Sequence, residues 1–284
     1  MSKIKIIECP RDAIQGIKQF IPTEKKVTYL QTLLKVGFDT LDCGSFVSPK
    51  AVPQMVDTAT VIKGLDCSQS SSKLLVIVAN ERGAMEACQH DKIAYLGYPF
   101  SISENFQMRN THKSIKDSLT VLRKILALCK AHNKKAVIYL SMGFGNPYGD
   151  PWSPTIVLDW VEKLIPMGAH IISLSDTVGQ AKSKDIEQVL SKLIVEFPKV
   201  EFGTHFHTHP QQWREKVNVA FNSGCNRFDG AIRGWGGCPM AQDELVGNMP
   251  TEKLISYFTA LKKPLGLDLL AFESAYNEFN SILS

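Results

Sequence analysis

Residues 171–207 read IISLSDTVGQAKSKDIEQVLSKLIVEFPKVEFGTHFH, and their periodicity decides the fold. Ile171–Ser175 is a short apolar run of strand length. Lys184–Glu196 then places Ile186, Val189, Leu190, Leu193 and Ile194 at i, i+3, i+4, i+7 and i+8, one face of a helix. Val200–His207 returns to a strand-like run. Strand, helix and strand in close succession make a parallel βαβ unit. The same alternation extends in both directions. Strand-like runs at Ile4–Cys9, Thr40–Cys43, Leu74–Ala79, Lys92–Tyr98, Lys135–Ser141 and Arg227–Ile232 bring the total to eight. They are short and apolar, as strands buried on both faces are. Between them, Thr23 and Gly37 bracket a helix, Ser153-Pro154 starts another, and Thr251 opens one with Leu254, Ile255, Phe258 and Leu261 on one face. No Gly-x-Gly-x-x-Gly follows the first strand, which argues against a doubly wound open sheet. The expectation is an α/β fold, a (β/α)₈ TIM barrel formed as a single domain by residues 1–284.

Composition narrows the function. The chain has 284 residues, 44% apolar and 21% charged, with a formal net charge of +4. Its Lys and Arg are scattered among acids, without a basic cluster interleaved with aromatics, so nucleic acid is not the expected partner. A weak positive balance still favours an anionic small molecule. Seven cysteines (9, 43, 67, 88, 129, 225 and 238) form no Cys-x-x-Cys pair, which points to a reducing compartment. No apolar stretch is long enough to span a membrane. The strand-like run beginning at Ile4 leaves no room for a leader, so a cytoplasmic location is expected.

In a barrel, residues at the C-terminal ends of the strands face the active site. Those ends carry Arg11-Asp12, Asp42-Cys43-Gly44-Ser45, Ser175-Asp176-Thr177, His205 with His207, and a glycine loop leading through Cys238 to Gly247-Asn248. Any one of these residues has an ordinary structural use, a turn cap or an inert thiol. Acids, imidazoles, an arginine and a thiol gathered at one barrel end speak for chemistry. His205 and His207 lie at i and i+2, so on a strand both imidazoles share a face. With one carboxylate and one amide oxygen they make a mixed N/O set suited to Mg²⁺ or Mn²⁺, with Zn²⁺ left open. Arg11 beside that set would stabilise a developing enolate oxygen, and a thiol in a glycine loop would protonate a carbanion.

These segments are similar to those of the 3-hydroxy-3-methylglutaryl-CoA lyases, within the wider lyase and synthase barrels whose first strand ends in Arg-Asp. The resemblance rests on Pro10-Arg11-Asp12 with Gln15, on Ser45-Phe46-Val47-Ser48-Pro49-Lys50 continuing through Val52-Pro53-Gln54-Met55, on Ser173–Gly179, and on Gly236-Gly237-Cys238-Pro239. It runs from Ile4 to about Phe258. Related citramalate-, isopropylmalate- and homocitrate-type synthases lack the Gly-Gly-Cys-Pro loop. The resemblance implies a metal held by Asp12, His205, His207 and Asn248, with His205 also catalytic. It implies that Arg11 steadies the thioester enolate, and that Cys238, in a loop at about 233–248, acts as the acid. Asp42 and Asp176 would assist proton transfer and orientation. Gln15, Lys18, Ser45 and Thr177 would touch an acyl-CoA substrate, Lys18 at the anionic CoA moiety. A homodimer is implied as well.

The chain departs from the family pattern at several places. Asp42 stands where Glu is usual, Thr208 follows His207 in place of an acid, and Asn146 replaces a customary cysteine. The Cys238-to-Asn248 loop is one residue longer than usual. His209 reads as a neighbour of the site or a surface group, His90, His112, His132 and His170 as exposed or packing residues, and Trp235 as a residue shaping the pocket. Three readings stand: an acyl-CoA lyase for this or another 3-hydroxyacyl-CoA, a synthase condensing acetyl-CoA with a 2-oxoacid, and a non-catalytic barrel that binds a CoA ester or a protein.

Overall fold

The computed structural model describes residues 3–237 and 246–283. Eight parallel strands close into a barrel in chain order, with β8 pairing back onto β1. They are β1 (Lys5–Glu8), β2 (Thr40–Ser45), β3 (Lys73–Ile77), β4 (Ile93–Ser101), β5 (Lys135–Ser141), β6 (Ile171–Asp176), β7 (Glu201–Phe206) and β8 (Arg227–Gly230). The helices around them are α1 (Pro10–Ile14), α2 (Thr23–Val36), α3 (Thr58–Gly64), α4 (Glu81–Cys88), α5 (Glu104–Thr111) and α6 (Ile115–Ala131). The ring is completed by α7 (Pro154–Leu164), α8 (Ser183–Glu196), α9 (Trp213–Asn222), α10 (Thr251–Ala260) and α11 (Leu269–Leu283). No described helix is long and apolar enough to cross a membrane.

Local sequence explains most boundaries. Ser153 accepts the Ile156 N–H with Pro154 at the first helical position, so α7 starts where expected. Gly37 takes a left-handed φ of 84° and stops α2. Thr23 opens α2 without capping it, because its hydroxyl donates to Asp57 (2.7 Å). Leu261 lies just past α10 and is exposed, off the face that buries Leu254, Ile255 and Phe258.

The barrel interior has three levels. At its N-terminal end Arg227 pairs with Glu201 (3.1 Å) and Asp39 (3.6 Å), and Lys5 pairs with Glu201 (2.6 Å). Gly203 makes room for this, since a Cβ there would lie 2.8 Å from Arg227 Cδ. Above it Leu75, Val137, Tyr139 and Ile171 form an apolar plug with Ile77 and Tyr95. At the C-terminal end a cavity opens among polar side chains. One irregularity aims residues into it: the β2–β3 register shifts between Asp42 and Gly44. Cys43 lies against the helix layer, and a Cβ on Gly44 would press on Thr58 at 2.6 Å. The bulge therefore lets Asp42 and Ser45 both serve the barrel mouth.

On the outer side of β1, Glu8 is fully buried, accepting the Ile232 N–H (2.9 Å) and the Thr251 hydroxyl. Burial pushes its carboxyl up to about 8. From its ordinary 4.5 up to that value the folded state keeps a proton the unfolded chain releases, so stability falls as pH rises through this window. Glu8→Gln keeps both contacts without the charge. Its Tm is expected to match the parent near pH 5 and exceed it by several degrees at pH 8.5; equal melting curves at both pH values would refute this.

Candidate active site and metal centre

Just beyond β1, Pro10 starts α1 at once, so Arg11 and Asp12 sit on a short buried helix and not at the end of an extended strand. Four residues apart, Arg11 and Gln15 share a helix face. The Arg11 guanidinium lies flat against Asp42, with Nε donating to Oδ1 (3.2 Å) and Oδ2 (3.0 Å) and Nη2 to Oδ2. Its Nη1 donates to Asp12 Oδ1 (2.9 Å) and Gln15 Oε1 (3.1 Å), and Gln15 Nε2 donates to Asp12 Oδ1. Burial pushes the Asp42 carboxyl up to about 6 against the pull of Arg11. The two carboxylates in turn hold Arg11 firmly cationic despite its own burial.

Opposite stands the end of β7. His205 belongs to the strand, whereas His207 lies just past it, in an antiparallel bridge with Asn248. His205 Nδ1 meets Asp229 Oδ2 at 3.1 Å, leaving Nε2 to face Asp12 Oδ2 at 3.7 Å. His207 Nδ1 meets the Val246 carbonyl at 3.0 Å, which frees its Nε2. The ring centroids are 5.3 Å apart. Nitrogen and oxygen atoms of Asp12, His205 and His207 lie within 4.8 Å of one another.

The residues fit a divalent cation. Asp12 Oδ2 is buried and has no hydrogen-bond partner among the described residues. Burial would raise its carboxyl, but Arg11 and the two imidazoles outweigh that and keep it ionised. Burial, with His205 close by, pushes His207 down to about 4, so it is neutral and can ligate. For His205 burial disfavours the cation, yet the Asp229 hydrogen bond and the two carboxylates win and shift it upward. A carboxylate behind a ligating histidine is the usual support that fixes its tautomer. Cys9, His205 and Asp229 also cluster, but burial pushes the Cys9 thiol up and Asp229 already occupies His205 Nδ1. Asn248 is buried and bridges to His207, its Nδ2 donating to the Trp235 carbonyl (2.7 Å), which leaves the amide oxygen able to face a cation.

A cavity of about 310 Å³ opens over this group. Of the residues singled out from sequence, Arg11, Asp12, Gln15, Ser45, Thr177, His205 and His207 line it. Asp42 lies beneath Arg11 and has no exposed surface. Asp176 turns away from the cavity to Lys216 (2.6 Å) and the Ala181 N–H (3.1 Å). Lys18 is exposed and outside the cavity lining. Cys238 lies outside the described residues, but its loop is anchored by Gly236, whose φ is 88° and where a Cβ would sit 2.3 Å from the Asp12 carbonyl oxygen.

Sequence reasoning passed over several contributors. His112 is exposed, as the sequence suggests, and also lines the cavity with Asn110 and Lys113. Tyr139 stands edge-on to His205 at 5.5 Å. Trp235 packs on Phe279 at 6.0 Å and is absent from the cavity wall. The signal for Asp229 was present, a lone acid in the buried run Arg227-Phe228-Asp229; Lys216 on a helix gives none.

Comparison with known proteins finds relatives along nearly the whole chain. A family model described as HMGL-like matches residues 3–278. The mitochondrial hydroxymethylglutaryl-CoA lyase of Bos taurus is 33% identical over 270 residues, 94% of this chain and 82% of that protein. A Pseudomonas aeruginosa protein named 3-hydroxy-3-isohexenylglutaryl-CoA/hydroxy-methylglutaryl-CoA lyase is 29% identical over 282 residues, 99% of this chain and 93% of its own. The structure of an HMG-CoA lyase from Acinetobacter baumannii in complex with coenzyme A and 3-methylmalate superposes with a TM-score of 0.91 at 27% identity, covering 99% of this chain and 91% of that one.

Proposed function

This chain belongs to the HMGL-like family, and from that premise we propose that it is a metal-dependent lyase cleaving 3-hydroxy-3-methylglutaryl-CoA to acetyl-CoA and acetoacetate. The observation that carries the reading is the Asp12–His205–His207 set lining one cavity with the Arg11 guanidinium, which donates to Asp12 at 2.9 Å. Asp12, His205, His207 and Asn248 would hold the ion, Mg²⁺ or Mn²⁺ by its hard-leaning donors. When bound, such an ion polarises the oxygens of a substrate.

The protein's own groups orient the acyl group, steady the enolate and return a proton to it. The tertiary hydroxyl loses its proton to a base, the bond between C2 and C3 breaks, and its electron pair moves into the acetyl-CoA enolate. Arg11, fixed by Asp42 and Gln15, presents a permanent positive charge where that enolate oxygen develops. Gln15, Ser45 and Thr177 line the wall against which the acyl group is oriented. Cys238 delivers the proton to the enolate carbon. That thiol sets lyase apart from synthase, because a departing carbanion needs an acid. Six described cysteines are unpaired, which supports a reducing, cytoplasmic setting.

The test incubates purified protein with Mg²⁺ or Mn²⁺ and 3-hydroxy-3-methylglutaryl-CoA and measures acetoacetate. Turnover of another acyl-CoA without acetoacetate would move the assignment to a different substrate. Cys238→Ser is expected to lower turnover about 10²- to 10⁴-fold while leaving metal binding intact. Near-normal activity in that variant would remove the thiol from the mechanism.

A further inference from the structure

Lys216 lies on the inward face of α9 and is only 3% exposed. A buried ammonium is costly unless all its donors are used. Here all three are: Nζ donates to Asp176 Oδ2 (2.6 Å), the Gly179 carbonyl (2.8 Å) and the His207 carbonyl (3.0 Å). Those acceptors belong to the end of β6, the β6–α8 turn and the residue just past β7. The His207 N–H in turn donates to the Asp176 carbonyl (3.2 Å), so its backbone is held on both sides.

The same clamp reaches the returning end of the cysteine loop. Gly179 has a φ of 72°, and a Cβ there would lie 2.6 Å from Val246 Cγ1. Val246 is the residue whose carbonyl fixes the His207 ring. Thr208, where the family pattern has an acid, sends its hydroxyl to the His209 carbonyl (3.0 Å) and supplies no carboxylate. Ionic support for this end of β7 comes from α9.

We propose that Lys216 is a positioning residue for the metal centre, clamping His207 to Asp176 so that its imidazole keeps ligand geometry; this rests on the metal-site reading above. Groups that orient a ligating histidine typically change metal affinity 10- to 100-fold when removed. A lysine that only filled space would change stability and leave affinity alone.

The experiment titrates Mn²⁺ into the full-length protein, following free Mn²⁺ by electron paramagnetic resonance, with thermal melts in parallel. Lys216→Met is expected to bind Mn²⁺ about 10- to 100-fold more weakly. Because that variant buries an unpaired carboxylate, the double variant Lys216→Met/Asp176→Asn is included. It should fold more stably than Lys216→Met and still bind weakly, while Lys216→Arg recovers part of the affinity. A folded double variant binding within about twofold of the parent, well below the range for such partners, would overturn the role of Lys216 alone. A parent protein that takes up no Mn²⁺ would overturn the metal site itself and Lys216's role with it.

Discussion

Asp12→Ala is expected to lose Mn²⁺ binding and to turn over 3-hydroxy-3-methylglutaryl-CoA about a thousandfold more slowly, a barrier increase of about 4 kcal/mol. Three features make the carboxylate hard to replace. Among the described residues it is the one acid grouped with His205 and His207, and its Oδ2 faces His205 Nε2 at 3.7 Å without a competing hydrogen bond. It also balances the Arg11 charge at 2.9 Å. Without it, a cation would meet two imidazoles beside an under-compensated guanidinium. His205→Ala should behave similarly, because it removes the Nε2 that faces Asp12 and leaves the buried Asp229 without its Nδ1 partner at 3.1 Å. Calorimetric Mn²⁺ titration with turnover assays checks this. An Asp12→Ala protein that keeps both its affinity and its rate would sink the assignment of the centre.

Arg11→Met is the second large effect, and it splits into two parts that can be measured separately. Losing a donor aimed at a developing oxyanion costs about 10²- to 10³-fold in kcat. The same change leaves Asp42 buried and unpaired, which destabilises a protein by about 3–5 kcal/mol. Adding Asp42→Asn to Arg11→Met removes the stranded charge, so thermal stability should recover while kcat stays low. Arg11→Lys should also fail, because a point ammonium cannot reproduce the fork on Asp42 with Nη1 reaching Asp12 and Gln15. Wild-type kcat in Arg11→Lys would show that any positive charge suffices, and a kcat regained with stability in the double variant would make Arg11 purely structural.

The barrel was legible because the strands are largely buried on both faces and the long outer helices on one, so single short windows report their own environment. The convergence of the two histidines was legible for a related reason: two residues at i and i+2 share a face whatever surrounds them. Asp12 was legible as a site residue, although Pro10 draws it into a helix that its apolar neighbours disguise as strand. Asp42 and Ser45 are three apart and would face opposite ways on a regular strand. The bulge at Cys43-Gly44 that brings them together depends on packing against Thr58 and on the register with β3. Asp176 reads as a strand-end acid but is turned outward by Lys216, forty residues later. His112 becomes a cavity residue because it follows α5, whose Phe106, Asn110 and Thr111 line the same cavity.

Periodicity and residue type, both local properties, thus determined the eightfold alternation and the end of the barrel where Arg11, Asp12, His205 and His207 gather. The tertiary structure alone decided which acids face the cavity and which are spent on buried cations. It also decided what orients each histidine, through Asp229 and Val246 on the rings and Lys216 on the His207 backbone. Those partners meet across the sheet and the helix layer, and a buried charge takes whatever counter-charge the fold brings within reach.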